Sequence, residues 1–337
     1  MLKREQNGTS HMLKFAKAYI KSMRLYYAFV TGIAGWIGVS FYEYRSAVLP
    51  PGEQPAPSLE KKTLILAMLF LGWGLNQIFN DYLGLKEDRV NAPERPMVTG
   101  ELNPKAALAL SGALLALASA AAAFWLEPVS LAPLWAGILL NIVYEFAKAY
   151  GLWANLVFGV MISMCSIFGF LACGEYAGPL FTVNRVAIIL LVVLMNGLMT
   201  YYTYFKDYEG DLAAGKRTTI AVVGPDAAKW IGAALTLLPA AVFAAFYLRG
   251  IWPDGLSRTF WLLAALTFFL EIWTAVLYCL NPRGEKTFFS LATNFRACAC
   301  GQAALVAVFA PGLGLVLFLV TYIFVGFLFD MHRNSKA

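Results

Sequence analysis

Long apolar runs alternate with short charged stretches along the whole chain. A helix needs about 20 consecutive apolar residues to cross the hydrocarbon layer of a bilayer. Runs that reach or approach this length lie at 25–42, 63–83, 105–126, 130–147, 152–173, 184–205, 227–248, 259–280 and 302–329. The pattern therefore predicts an all-α, polytopic membrane protein with about nine transmembrane helices in one bundle.

The composition indicates that lipid is the surrounding medium. Of the 337 residues, 60% are hydrophobic and only 14% are charged, which is more apolar surface than a soluble core of this size could bury. The formal charge of +6 does not indicate nucleic-acid binding, because the Lys and Arg residues lie between the apolar runs. Most of them fall on the side of the N-terminus. The positive-inside bias therefore places the N-terminus, and the loops after even-numbered helices, in the cytoplasm.

The first residues differ in character from the rest of the chain. Gly8 to Met12 read GTSHM, which is typical of a junction left by cloning. We expect residues 1–11 to be a tag or a disordered N-terminus, and residues 12–337 to form a single transmembrane domain.

Two polar segments follow the second and the sixth predicted helices, on the predicted cytoplasmic side. The first, from Asn76 to Gly100, reads NQIFNDYLGLKEDRVNAPERPMVTG. The second, from Tyr201 to Thr219, reads YYTYFKDYEGDLAAGKRTT. If the end of the second predicted helix stays helical, Asp81 and Asp88 project to nearly one face of it, and in the second segment Asp207 and Asp211 are an i, i+4 pair.

Carboxylates gathered in this way repel one another unless a cation lies between them. Oxygen ligands suit Mg²⁺, which keeps several waters and completes its shell with substrate phosphates. The segments are thus predicted to hold a diphosphate through Mg²⁺, the alternative being hydrophilic loops that only set topology. The predicted metal ligands are Asn80, Asp81, Asp88, Asp207 and Asp211. The predicted diphosphate-binding residues are Asn80, Asn91, Arg95 and Lys206, and the predicted catalytic residues are Arg95, Tyr202 and Lys206.

The motifs in these segments resemble those of the UbiA superfamily of intramembrane prenyltransferases. Asn80 and Asp88 match the outer positions of its N-x-x-x-D-x-x-x-D motif. Asp207 and Asp211 match its D-x-x-x-D motif, and the preceding Y-x-x-x-K is present at Tyr202–Lys206. The likeness extends to the number of predicted helices, so it covers the whole chain.

The resemblance implies a Mg²⁺-dependent enzyme whose helices enclose a central, lipid-accessible cavity, capped on the cytoplasmic side by two motif loops. It implies that an isoprenyl diphosphate ionises there and that an aromatic or lipid acceptor captures the prenyl group. Aromatic side chains make up 15% of the chain, and their faces can stabilise a carbocation.

One position departs from the family motif, because Gly84 stands where the family has its middle aspartate. Some fungal relatives that cyclise a prenyl diphosphate also resemble this chain in having a degenerate first motif, with a Glu-Asp pair as at Glu87 and Asp88. The resemblance thus leaves a second hypothesis open, a UbiA-type terpene cyclase that needs no acceptor.

A transporter is the alternative from a different functional class. It is motivated by Glu271, which falls near the middle of the eighth predicted helix. A carboxylate at that depth is costly and usually functional, although protonation or a pairing with Arg296 would also explain it. A transporter gathers its polar groups at mid-membrane, whereas here they gather at the ends of two helices, which favours the enzyme.

Overall fold

The computed structural model of the chain describes residues 2–253, 255–284 and 286–334. Within these residues the structure contains α-helices and two short 3₁₀ helices but no strand, which confirms the predicted all-α class. The α-helices are α1 (Leu2–Met23), α2 (Ala28–Val48), α3 (Leu59–Leu83), α4 (Leu85–Asn91), α5 (Pro96–Thr99), α6 (Pro104–Trp125), α7 (Leu131–Ala147), α8 (Trp153–Leu171), α9 (Val183–Ala214), α10 (Thr219–Val223), α11 (Pro225–Leu235), α12 (Leu238–Leu248), α13 (Arg258–Leu280), α14 (Thr287–Val306) and α15 (Pro311–Asn334). The 3₁₀ helices are Leu25–Tyr27 and Pro128–Ser130.

Four of the long helices begin at a polar side chain that caps the first turn. Ser58, Asn103, Thr182 and Ser257 each accept a hydrogen bond from the backbone N–H three residues further on, at 3.0–3.4 Å. Such a bond satisfies a donor that the helix itself leaves unpaired. The starts of these helices are therefore set by residues that flank the apolar runs.

Nine helical segments of the described chain are long and apolar enough to cross a membrane, as predicted. The predicted boundaries of the last one are wrong. The run at 302–329 is not one helix, because α14 ends at Val306 and α15 begins at Pro311. Proline is favoured in the first turn of a helix and disfavoured inside one, so it separates the two.

A further long helix, α14, is too polar to be counted among the nine but also passes from one end of the bundle to the other. In its first half Phe295 packs on Tyr26, at the beginning of the first membrane segment. Just after its end Phe309 packs on Phe41, towards the end of α2. Its Asn294 and Gln302 side chains are buried inside the protein. Apolar run length could not reveal such a helix, because its polar groups face neighbouring helices and not lipid.

The two polar segments are mostly helical, apart from Gly84, 92–95, Gly100 and 215–218, so the expectation that the motifs form loops is wrong. The 32 residues of α9 extend to Ala214, about 48 Å at 1.5 Å per residue, which exceeds a hydrocarbon layer of about 30 Å. The second motif therefore lies on its last turns, and Gly215, with φ of 72°, ends it. The first segment contains the last turns of α3, and after Gly84 the chain continues as α4. We call the end of the bundle where α3 and α9 terminate the motif end.

The first helix packs against the motif end. Ala18 and Tyr19 of α1 belong to a small buried cluster with Ile78 and Leu102, and the Tyr19 hydroxyl lies 2.6 Å from the hydroxyl of Ser111. α1 thus holds the start of α2 beside the end of α3. The assignment of residues 1–11 to a tag or a disordered N-terminus stays a prediction.

Glycine allows the central helices to approach closely. A Cβ added at Gly38 of α2 would lie 2.0 Å from the carbonyl oxygen of Ser166 in α8. A Cβ added at Gly159 of α8 would lie 2.2 Å from the carbonyl oxygen of Val193 in α9. Small residues are typical of such helix crossings in membranes. The α2–α8–α9 centre is therefore a rigid frame that positions the motif end.

Candidate active site

A small cavity of about 60 Å³ lies at the motif end, and we call it the polar pocket. It is lined by residues of α1, the first 3₁₀ helix, α3, the α4–α5 connection, α9, α14 and α15. Its charged lining residues are Lys21, Arg24, Asp81, Glu94, Arg95, Lys206 and Asp207. Its aromatic lining, which we call the aromatic floor, consists of Tyr26, Tyr27, Phe295 and Phe329. The structure therefore brings residues of both predicted motifs to one cavity, next to aromatic rings.

Asp81 is the most deeply buried carboxylate of the pocket, with 1% of its surface exposed. Arg24 donates a hydrogen bond to its Oδ1, and Arg95 Nη1 lies 3.5 Å from the same oxygen. Gln77 donates to it as well, at 3.0 Å. The two guanidinium groups offset the cost of burying the charge. Protein donors thus surround Oδ1, whereas Oδ2 is buried without a hydrogen-bond partner among the described residues.

Arg24 is a pocket residue that the sequence analysis missed. It separates α1 from the first 3₁₀ helix and has φ of 50° and ψ of 69°. This left-handed conformation is uncommon for a residue with a Cβ, and it turns the chain where the ion pair with Asp81 forms. The partner is 57 residues away in the sequence, so no local pattern identifies the pair.

Arg95 connects the two carboxylates of the first motif. It forms an ion pair with Asp88 as well as with Asp81. Burial disfavours the charged form of Arg95 and would lower its pKa. The negative charges of Asp81 and Asp88 outweigh this effect and raise the pKa of Arg95. Burial also raises the pKa of Asp88, despite the opposing charge of Arg95. Arg95 therefore remains a cation whose position the first motif determines.

The two carboxylates of the second motif, Asp207 and Asp211, lie in different surroundings. Asp207 lines the polar pocket with 25% of its side chain exposed, and Lys206 Nζ lies 3.7 Å from its Oδ1. Asp211 is buried and accepts a hydrogen bond from the Thr218 hydroxyl at 3.1 Å. Asp207 and Lys206 therefore reach the pocket, whereas Asp211 lies outside its lining.

Two contacts clamp the motifs to each other, and Asn91 belongs to one of them. The Oδ1 atom of Asn91 accepts the Gly210 backbone N–H at 2.8 Å, so Asn91 lies in the clamp and outside the lining of the polar pocket. Lys216 Nζ lies 2.9 Å from Glu87 Oε1. Burial alone would raise the pKa of Glu87, but the hydrogen bond and the charge of Lys216 outweigh it and lower that pKa. The sequence analysis missed the Glu87–Lys216 pair.

A further ion pair, between Lys148 and Glu145, lies beside the clamp. Lys148 Nζ lies 2.8 Å from Glu145 Oε1, and Lys216 Nζ donates to the Glu145 backbone carbonyl at 3.3 Å. Burial would lower the pKa of Lys148, but the negative charges of Glu145 and, more weakly, Asp211 outweigh burial and raise that pKa. The Lys148–Glu145 pair thus lies near Asp211 of the second motif and outside the lining of the polar pocket.

Tyr202 is not brought to the polar pocket. Its hydroxyl lies 2.8 Å from that of Thr236, and its ring stacks on Tyr278 with 4.7 Å between centroids. It shares a void of about 10 Å³ with the buried Glu271. Arg296 donates to the Tyr322 backbone carbonyl at 3.0 Å, and the described residues show no ion pair between Arg296 and Glu271.

Oxygen donors for a metal ion are present but do not form a complete cage. Asn80 Oδ1, Asp81 Oδ2 and Asp88 Oδ2 are buried and have no hydrogen-bond partner among the described residues. Among the residues that the structure describes, no three His, Cys, Asp or Glu side chains lie close enough together to hold a metal ion alone. Mg²⁺ usually takes one or two carboxylates and completes its shell with water and phosphate. The donors therefore fit a Mg²⁺ ion that arrives with a phosphate ligand.

The chain matches known proteins in sequence and in fold. Residues 46–296 match the model of the UbiA prenyltransferase family. A digeranylgeranylglyceryl phosphate synthase of Thermococcus kodakarensis is 29% identical over 232 residues, which cover 66% of this chain and 74% of that protein. A solved UbiA homologue from Aeropyrum pernix K1 aligns with a TM-score of 0.65 and 19% identity, over 86% of this chain and 98% of the other. A UbiA homologue from Archaeoglobus fulgidus, bound to GPP and Mg²⁺, aligns with a TM-score of 0.59 and 18% identity, over 90% of this chain and 100% of the other.

These similarities confirm the predicted fold, family and enzyme class. The family match includes both motifs and the helices α3 to α13 in full, so it does not depend on the charged segments alone. The chain belongs to the UbiA prenyltransferase family.

Proposed function

We propose that this protein is a Mg²⁺-dependent intramembrane prenyltransferase that ionises an isoprenyl diphosphate in the polar pocket and transfers the prenyl group to a lipid acceptor. One observation carries the proposal: the pocket places Arg24, Arg95 and Lys206 beside carboxylates and directly against aromatic rings. Cations and a metal suit the diphosphate, and aromatic faces suit the allylic end of the same molecule.

The cations of the pocket bind and orient the diphosphate. Arg95 is fixed by Asp81 and Asp88, so its guanidinium presents a preorganised fork to phosphate oxygens. Lys206 contributes a point charge from the other motif. Mg²⁺ would be held with the diphosphate by oxygens of the predicted ligands, of which Asp81 and Asp207 line the pocket, and would neutralise charge on the leaving group. Because these charges are in place before the bond breaks, they favour the charge that develops on the departing diphosphate.

The aromatic floor controls what happens to the prenyl group. Tyr26, Tyr27 and Phe295 pack on one another, with 4.8–5.3 Å between ring centroids. Phe329 closes the cluster at 4.1 Å from Tyr26. This packing excludes water, which would otherwise capture an allylic cation, and the ring faces stabilise the positive charge.

The acceptor is proposed to be a lipid, with a glycerophosphate head group. Relatives of the chain bear the name digeranylgeranylglyceryl phosphate synthase, and Lys21, Arg24, Arg95 and Lys206 give the polar pocket the positive charge that a phosphate head group requires. By the positive-inside bias, the excess of Lys and Arg at the motif end supports a cytoplasmic location for this end. The acceptor would then reach the pocket from the cytoplasmic leaflet.

A terpene cyclase is the second candidate function, and Gly84 together with the aromatic floor favours it. Gly84 removes one carboxylate from the first motif, and the carboxylate oxygen that lies near this position, Glu87 Oε2, is 4.0 Å from a Cβ added there. A cation enclosed by Tyr26, Tyr27, Phe295 and Phe329 could be captured by a double bond of its own chain. In that case no acceptor is needed.

Purified protein incubated with Mg²⁺ and prenyl diphosphates of several lengths distinguishes the two. Diphosphate release that requires a glycerophosphate lipid, with a prenylated lipid as product, would support the transferase. A cyclic hydrocarbon or alcohol formed without acceptor would establish the cyclase in its place. No diphosphate release under either condition, from protein that is monodisperse in detergent, would overturn both.

A further inference from the structure

The first helix, α1, leaves an apolar face uncovered. Its Ala18 and Tyr19 pack on the motif end, whereas Leu13, Ala16 and Ile20 are exposed. The exposed three are spaced three and four residues apart, so they lie on one face of the helix. Leu13 and Ile20 expose 59% and 53% of their surface. Such an apolar face is typical of helices that lie in the head-group region of a bilayer.

A second face of α1 is basic. Lys14, Lys17 and Lys21 are also three and four residues apart, and they span about 10 Å at 1.5 Å per residue. Lys14 and Lys17 are exposed, whereas Lys21 lines the polar pocket, as does Arg24 just beyond the helix. We call Lys14, Lys17, Lys21 and Arg24 the basic stripe. It leads from the surface of α1 into the polar pocket.

Acidic residues are absent from the sequence around the basic stripe. The chain has no Asp or Glu between Glu5 and Glu43. Among the side chains that the structure describes, no ion pair involves Lys14, Lys17 or Lys21. The outer part of the stripe therefore offers its positive charge to an external anion. It also lacks the carboxylates with which proteins bind Mg²⁺.

We propose that the basic stripe binds the phosphate head group of the lipid acceptor and guides this group along α1 into the polar pocket. The proposal rests on the proposed function, because that function gives the acceptor a glycerophosphate head group. Lys14 and Lys17 are then residues of an acceptor-binding site outside the polar pocket.

Chemistry favours the acceptor over the prenyl diphosphate as the ligand of Lys14 and Lys17. The diphosphate is proposed to bind with Mg²⁺, and the carboxylates for that ion, such as Asp81 and Asp207, lie in the polar pocket. A phosphate head group that does not itself react needs only cations. The apolar face beside the stripe lets the hydrocarbon part of the same lipid stay in the membrane.

Replacing Lys14 and Lys17 together by glutamine tests the proposal. In a neutral detergent, Lys14→Gln with Lys17→Gln should raise the KM for a glycerophosphate lipid acceptor about tenfold or more, because a lysine at a charged lipid surface contributes about fivefold to binding. The kcat and the KM for the prenyl diphosphate should stay unchanged, since neither lysine lines the polar pocket. Lys14→Arg with Lys17→Arg keeps both charges and should keep the acceptor KM of the wild type.

Lys86→Gln with Arg89→Gln is the matched control. Both residues are exposed on α4, next to the end of α3, and neither lines the polar pocket. This variant loses the same charge away from the stripe and should leave the acceptor KM unchanged. Equal increases of that KM in the two glutamine variants overturn the proposal, because net charge would then be the cause. An unchanged acceptor KM in the lysine variant overturns it as well.

A binding measurement separates this proposal from the proposed function. A monoalkyl glycerol phosphate with a fluorescent tail should bind the wild type in neutral detergent, and its Kd should rise about tenfold in the lysine variant. The same lipid without its phosphate should bind both proteins equally.

Equal binding of the phosphate lipid by the wild type and the lysine variant overturns the proposal, whether or not a prenylated lipid is formed. Because a neutral micelle has no anionic bilayer surface, a role limited to anchoring α1 at the membrane would give this result. Absence of a prenylated lipid from the wild type, together with weaker phosphate-lipid binding in the lysine variant, overturns the proposed function and leaves the basic stripe as a lipid-phosphate site.

Discussion

The two acidic motifs of this chain have similar residues but different surroundings. In the first motif, Asp81 and Asp88 are both buried and both paired with arginine. In the second, Asp207 is partly exposed in the polar pocket and forms its ion pair with a lysine, at 3.7 Å. A carboxylate held by guanidinium groups mainly positions those groups, whereas a more open carboxylate is available to a metal. We therefore expect the first motif to organise the cations and the second to contribute more to Mg²⁺ binding.

The largest effect on activity is expected from replacing Asp207, in comparison with a carboxylate outside the polar pocket. Asp207→Asn removes the open carboxylate of the pocket and should lower kcat about a hundredfold or more, the scale seen when a preorganised electrostatic group is removed. Diphosphate release at saturating Mg²⁺ measures it. Glu271→Gln is the matched control, because Glu271 is a buried carboxyl away from the polar pocket. A loss in Glu271→Gln as large as that in Asp207→Asn would contradict the assignment of the site.

The next effect concerns stability and tests the structural side of the first motif. Asp81→Ala leaves Arg24 and Arg95 without their shared partner, and breaking a buried ion pair costs about 3 to 5 kcal/mol. The thermal unfolding midpoint in detergent should therefore fall clearly. Asp226→Ala is the control, since its pair with Arg283 is exposed, 57% for Arg283 and 68% for Asp226, and such pairs contribute about 1 kcal/mol or less. Equal shifts in the two variants would refute the comparison.

A smaller effect concerns the clamp between the motifs and depends on pH. The lowered pKa of Glu87 means that its ionised form is favoured in the folded protein. The pair with Lys216 therefore stabilises the fold above the ordinary pKa of Glu87, about 4.5, and this contribution is lost as the pH falls through the lowered value. Glu87→Gln should lower the unfolding midpoint at pH 7 and have a diminishing effect at acidic pH. The double variant Glu87→Lys with Lys216→Glu exchanges the two charges and should recover part of the loss in unfolding midpoint at pH 7. If the unfolding midpoints of the wild type and Glu87→Gln differ by the same amount at every pH, the ion pair is not the cause of the difference.

The smallest effect is expected from restoring the family residue at Gly84. Its φ of −92° suits any residue, and a Cβ there lies 3.1 Å from the Asn80 carbonyl oxygen and 4.0 Å from Glu87 Oε2. Gly84→Asp should therefore fold, and it should lower the Mg²⁺ concentration for half-maximal activity a few-fold by giving the first motif an unpaired carboxylate. A titration of activity with Mg²⁺ checks this. An unchanged Mg²⁺ requirement would mean that the second motif alone sets metal affinity.

The site shows which predictions a sequence can support. Asp81, Arg95, Lys206 and Asp207 were predicted from motif and charge, and the structure places all four at one pocket. Asp211 and Asn91 lie next to the pocket but have protein partners, and Tyr202 faces Thr236. A motif states which residue types recur on a helix face, but it does not state which neighbouring helix each side chain meets. The metal-binding and catalytic roles of all these residues stay predictions.

The sequence by itself determined the helices, their approximate number and the two charged motifs, because hydrophobic run length and local charge are one-dimensional properties. Only the tertiary structure decided the ion pairs of Arg24 with Asp81 and of Lys216 with Glu87, because their partners are distant in the chain. It also revealed α14 as a buried polar helix and the aromatic floor of the polar pocket. These features depend on which helix faces meet, and packing of the whole bundle sets that.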